Sequence, residues 1–88
     1  MTQFHVFDTY AVSGNGRILH FDVVLSEKSQ EKALAHARDW LAGIGESAAA
    51  VRAESCCFCH SSVEAPEDVR RDVASQGYAI IKLEGCPH

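Results

Sequence analysis

The chain has 88 residues and a formal charge of −4, with no run of Lys or Arg, so it is poorly suited to a nucleic-acid backbone, which is bound by clustered cations. No apolar stretch approaches the ~20 residues of a membrane span. Met1 to His5 shows no basic region followed by an apolar one, so a cytoplasmic protein without an export signal is expected.

Length and even composition imply one domain over residues 1–88. Twelve of its hydrophobic residues are alanines, and chains of this size bury roughly 60–65% of their unfolded surface, so the core is thin. A metal or a second copy would add useful stabilisation.

Taken in order, residues Phe4 to Val12 and Arg17 to Leu25 are rich in β-branched and aromatic types. Between them, Ser13-Gly14-Asn15-Gly16 supplies a turn, so the first quarter of the chain reads as a β-hairpin. If Tyr10 stands opposite His20, then Asp8 stands opposite Asp22. Alternation places Phe7, Leu19, Phe21, Val23 and Leu25 on a core face. Phe4, Val6, Asp8, Tyr10, Ile18, His20, Asp22 and Val24 fall on the other.

A helix is expected next, capped by Ser26 or Ser29. Its apolar stripe is Leu34, Ala37, Trp40, Leu41 and Ile44, and Gly43 and Gly45 stop it. Trp40 reads as a core anchor, and His36 falls on the polar side. Residues Ala49 to Ser55 suggest a short third strand. Pro66, Glu67 and Asp68 open a second helix, with Val69 and Val73 apolar and Gly77 as its stop. Tyr78 to Leu83 is a last strand.

The expected fold is therefore α+β, in the order β-β-α-β-α-β. Strands joined through a helix usually return parallel, which predicts a small mixed four-stranded sheet with two helices on one face. The opposite face, carrying Phe4, Val6, Tyr10, Tyr78 and Ile80, would be open and suited to a homodimer.

His5-Val6-Phe7-Asp8-Thr9-Tyr10, His20-Phe21-Asp22-Val23, Cys59-His60-Ser61, Gly77-Tyr78 and Gly85-Cys86 together resemble a family of short bacterial proteins catalogued as a domain of unknown function. The resemblance runs over nearly the whole chain and implies a compact cytoplasmic α+β domain. It brings no substrate, cofactor or catalytic residue with it. Cys57 is an addition to the family's pattern.

The stretch richest in chemistry is Cys56-Cys57-Phe58-Cys59-His60. Cys56 and Cys59 have the C-x2-C spacing with which one turn of backbone presents two thiolates to zinc. On the parallel topology Cys86 reaches the same edge of the sheet, and His60, His5 or His88 would supply the fourth ligand. The metal candidates are accordingly Cys56, Cys59, Cys86, His60 and His5, with zinc as the cofactor.

Three other readings attach to the same residues. They are plain buried packing, a thiol–disulfide pair of Cys56 and Cys59, and the Cys56-x-x-Cys59-His60 haem-attachment pattern, which the absence of an export signal disfavours. Separately, Asp8, Tyr10, His20 and Asp22 share one sheet face. There a carboxylate beside His20 suits acid–base work, and two facing aspartates raise one carboxyl pKa or invite a cation. Solvated polar alternation explains the same pattern.

The sequence thus favours a small non-enzymatic binding or interaction domain with a zinc site at Cys56, Cys59 and Cys86. A thiol-dependent redox protein is the alternative, and an enzyme built on the His20/Asp22 face is a further one. No motif names a substrate, and no nucleotide loop, nucleophile elbow or metalloprotease signature is present.

Overall fold

The computed structural model describes residues 3–46 and 49–83. The order of elements is the expected one. The strands β1 (Phe4–Val12) and β2 (Ile18–Leu25) are followed by α1 (Gln30–Gly43), β3 (Cys56–Ser62), α2 (Glu67–Gln76) and β4 (Tyr78–Lys82). A 3-10 turn at Ala53–Ser55 leads into β3. Among the described residues, no helix is long and apolar enough to cross a membrane.

The hairpin forms in the expected register, with Asp8 opposite Asp22 and Tyr10 opposite His20. Its turn closes through Ser13 N–H to Arg17 O (2.8 Å) and Gly16 N–H to Ser13 O (2.9 Å). Gly16 adopts φ 86°, a left-handed conformation that side chains resist. Ser29 is the residue that caps α1, its hydroxyl accepting from the Lys32 N–H at 3.2 Å.

Strand direction differs from the expectation. The sheet order is β3-β1-β2-β4 and every neighbouring pair is antiparallel, so the sheet is not mixed. β2 and β3 do point the same way across α1, but β1 lies between them. The hairpin leaves the outer edge of β1 free, and that edge is where β3 pairs.

The connection through α2 reverses direction for a geometric reason. β3 ends with Ser62 beside Phe4, and β4 begins with Tyr78 beside Leu25; His5 pairs with Leu25, so both points lie at one end of the sheet. Joining them means crossing three inter-strand gaps of about 4.8 Å each. A ten-residue helix is about 15 Å long, which matches that span. α2 thus links the two edges of the sheet without travelling along it.

The helices consequently sit on opposite faces, not on one. Ala33, Ala37 and Leu41 of α1 pack with Phe7, Ala11, Leu19, Phe21, Val23 and Leu25 on the expected core face. Trp40 joins them, its ring 4.7 Å from Phe21. Val69 and Val73 of α2 pack on the other face, over Phe4, Val6, Val24 and Ala79.

The face expected to be open is therefore covered at one end and free at the other, where Tyr10, Val12 and Ile18 are exposed. Tyr78 and Ile80 belong to the α1 side, because their pairing with Leu25 and Val23 puts them in that alternation. His36, expected in solvent, is half-buried and stacks on Tyr78 at 4.4 Å.

The third strand also lies further along than expected. Residues 49–52 make only an isolated bridge, Val12 to Ala50, and the cysteine cluster is itself β3. Starting the strand at Cys56 lets that side chain fill the α1 core, where it is fully buried.

Candidate functional site

Alternation along β1 and β2 puts Asp8, Tyr10, His20 and Asp22 on the face that α2 leaves uncovered. His20 Nε2 and Asp8 Oδ1 are hydrogen-bonded to each other across the strand pair. Tyr10 stacks on the His20 ring at 4.2 Å with 7° between the planes, which fixes the ring's orientation. Asp8, His20 and Asp22 are half-buried, and one ligand atom from each lies within 4.8 Å of the others.

The electrostatics follow from two carboxylates meeting across one strand pair. Burial raises the Asp22 pKa above 3.8, and a hydrogen bond and charge repulsion from Asp8 raise it further; His20 and His60 pull it back. A proton held between the two carboxyls relieves part of that repulsion.

The cysteines are distributed differently. Cys56 pairs opposite Thr9, and the Thr9 hydroxyl lies 3.5 Å from its Sγ. Burial pushes this thiol's pKa up, which makes it a poor nucleophile. Cys57 stands opposite Asp8 and is exposed, its Sγ donating to Glu54 O at 3.5 Å. Cys59 is exposed, with Sγ 3.2 Å from His60 Nδ1. His5 pairs opposite Ser61, four residues along β1 from the level of Cys56, and its Nδ1 is 2.6 Å from Ser61 Oγ.

Cys56, Cys59, His60 and His5 thus form no three-ligand group among the described residues, whereas Asp8, His20 and Asp22 do. The physical reason is that a C-x2-C pair converges on one ion when it lies in a turn, and here it lies in a strand. Cys86 and His88, expected from the sequence as partners in a zinc site, lie outside the described residues.

A twisted four-stranded antiparallel sheet with one helix on each face, and a carboxylate–imidazole group on the uncovered part of one face, define a small α+β domain with a polar surface site. The chain belongs to the DUF2024 family, a domain of unknown function whose model matches residues 2–83. It is similar to protein NE1680 from Nitrosomonas europaea, whose NMR structure has a TM-score of 0.85 to it. That relative is 44% identical, and the match covers 97% of this chain and 99% of the other. Comparison with curated proteins gives no match.

Proposed function

We propose that the chain is a small binding domain whose ligand is a divalent cation held by Asp8, His20 and Asp22. The observation that carries this reading is their convergence, three ligand atoms within 4.8 Å of one another on adjacent strands. Strands position side chains more rigidly than loops, and Tyr10 locks the imidazole, so little ordering remains for the cation to impose. A cation in this group replaces the shared protons and removes the repulsion between Asp8 and Asp22.

Titration calorimetry of the tag-free chain with Zn(II) and Mn(II) tests this. One-to-one binding lost in Asp8→Asn and in His20→Ala supports the reading. Binding that survives both substitutions overturns it. Thermal melts give a second readout, because a cation at about 100 times its Kd stabilises the fold by about 2.7 kcal/mol.

One observation favours a second reading, association of two copies. Tyr10, Val12 and Ile18 are 44%, 50% and 60% exposed and adjoin one another on the β1–β2 pair. A sedimentation profile that stays monomeric at high micromolar concentration removes it.

A further inference from the structure

α2 does not close completely onto its face of the sheet. The buried side chains it presents are Val69 and Val73, and Ala65 stands just before it, so its first turn meets the strands with short groups. A groove of about 160 Å³ remains there, walled by Phe4, Val6, Val24, Val69 and Ile81. An apolar cavity of about 150 Å³ accepts benzene, so the space suits a compact hydrocarbon group.

A slip in the pairing of β3 with β1 supplies one further wall. Phe58 stands opposite Phe7 and His60 opposite Val6, so Cys59 is an extra residue without a β1 partner. Phe58 packs edge-on against Phe7 on the α1 side, with ring centroids 5.6 Å apart. Regular alternation would send His60 to that side as well. The bulge reverses the alternation, and His60 lines the groove on the α2 side instead.

The charge of the groove has one sign. Its ionisable lining residues besides His60 are Asp22, half-buried, and Glu64, exposed on the rim; no Lys or Arg lines it. The positive end of α2 would attract an anion, but Glu67 and Asp68 in its first turn oppose that. Asp22 is hydrogen-bonded to Asp8, yet a carboxylate offers about four acceptor sites, so capacity remains for a donor in the groove. A cationic donor there also offsets the repulsion between the two carboxylates.

We propose that the groove binds a small primary ammonium ion with a short hydrocarbon tail, its charge on Asp22 and its tail along Val6, Val24 and Val69. Burial of the tail removes apolar wall from water, and the ammonium N–H groups meet the acid. This inference goes beyond the metal reading above and stands without it. An amine and a metal ion would contest one carboxylate, Asp22, from opposite sides.

The test is titration of the methyl-labelled, tag-free full chain with n-pentylammonium chloride at about pH 8, followed by NMR. An ordinary imidazole is then neutral and an alkylamine charged. n-Pentanol and pentanoate serve as probes with the same tail and a different head, and a chelator keeps metal out of the measurement. Pentylammonium is expected to shift the methyls of Val6, Val24, Val69 and Ile81 saturably. Pentanol is expected to bind at least about tenfold more weakly, the worth of a hydrogen bond to a charged group. Pentanoate is expected not to bind.

Asp22→Asn should bring pentylammonium down to the level of pentanol. Val69→Phe, with circular dichroism checking the fold, should abolish binding of both by filling the groove. Equal affinity for amine and alcohol in the parent overturns the proposal, as does an amine preference that survives Asp22→Asn. Shifts that never saturate, or that centre on Val12 and Ile18, overturn it too. Because metal is excluded, failure here leaves the cation reading standing, and failure of the calorimetry leaves this one.

Discussion

Asp8 and Asp22 face each other across the β1–β2 pair, and the Asp22 carboxyl is raised by burial and by the presence of Asp8. A strand pair rarely sets two like charges directly opposite, because the arrangement is destabilising unless something else relieves it. Here the relief comes from His20 and His60, both of which pull the Asp22 pKa back down. Their arrangement distinguishes this site from scattered polar residues on a sheet face.

That relationship has a pH signature. A carboxyl whose folded pKa is raised binds its proton more tightly in the folded state, so its contribution is favourable in acid and is lost as pH rises through the folded value. Asp22→Asn, which stays neutral, is therefore expected to raise the metal-free Tm at neutral pH. The gain should vanish below about pH 3.8, where the unfolded carboxyl is also protonated. Thermal melts of both proteins from about pH 3 to about pH 8 check the sign.

Thiol reactivity should separate the cysteines of β3. Cys57 and Cys59 are exposed, whereas Cys56 is fully buried with a raised pKa. Brief iodoacetamide treatment of the native protein, read by peptide mass spectrometry, should label Cys57 and Cys59 and spare Cys56 until denaturant is added. Early labelling of Cys56 would contradict its place in the α1 core.

The core on that side is thin enough for one residue to matter. Leu19 is fully buried between the sheet and α1. Leu19→Ala should cost about 2–5 kcal/mol through lost burial and the cavity left behind. Small domains hold only about 5–15 kcal/mol in total, so a urea melt should show a large fall in midpoint.

Gly77 tests the α2 crossing. It sits at φ 90° with no atom within 4 Å of where a Cβ would be, so substitution meets backbone strain and no clash. Gly77→Ala should destabilise by about 1–2 kcal/mol, the cost of a left-handed conformation for an L-residue. A neutral result in urea would mean the helix can end another way.

Much of the site is legible in the amino-acid sequence alone. The turn at Ser13–Gly16 sets the register, the register puts Asp8 opposite Asp22, and alternation then assigns them to a face with Tyr10 and His20. Local rules suffice there because the hairpin is closed by contacts a few residues apart. The element order and the α1 stripe are equally local, although Ala33 escapes the stripe because alanine carries little periodic signal.

What the chain's own pattern determined, then, is the hairpin, the order β-β-α-β-α-β and the carboxylate–imidazole row. Tertiary structure alone decided three further things: the antiparallel sheet, the helices on opposite faces, and the bulge at Cys59 that puts His60 on the site's face. Each of these depends on which strand pairs with β1 and in what register. Those pairings bring together residues about fifty positions apart, and their energy lies in contacts that no local window of sequence contains.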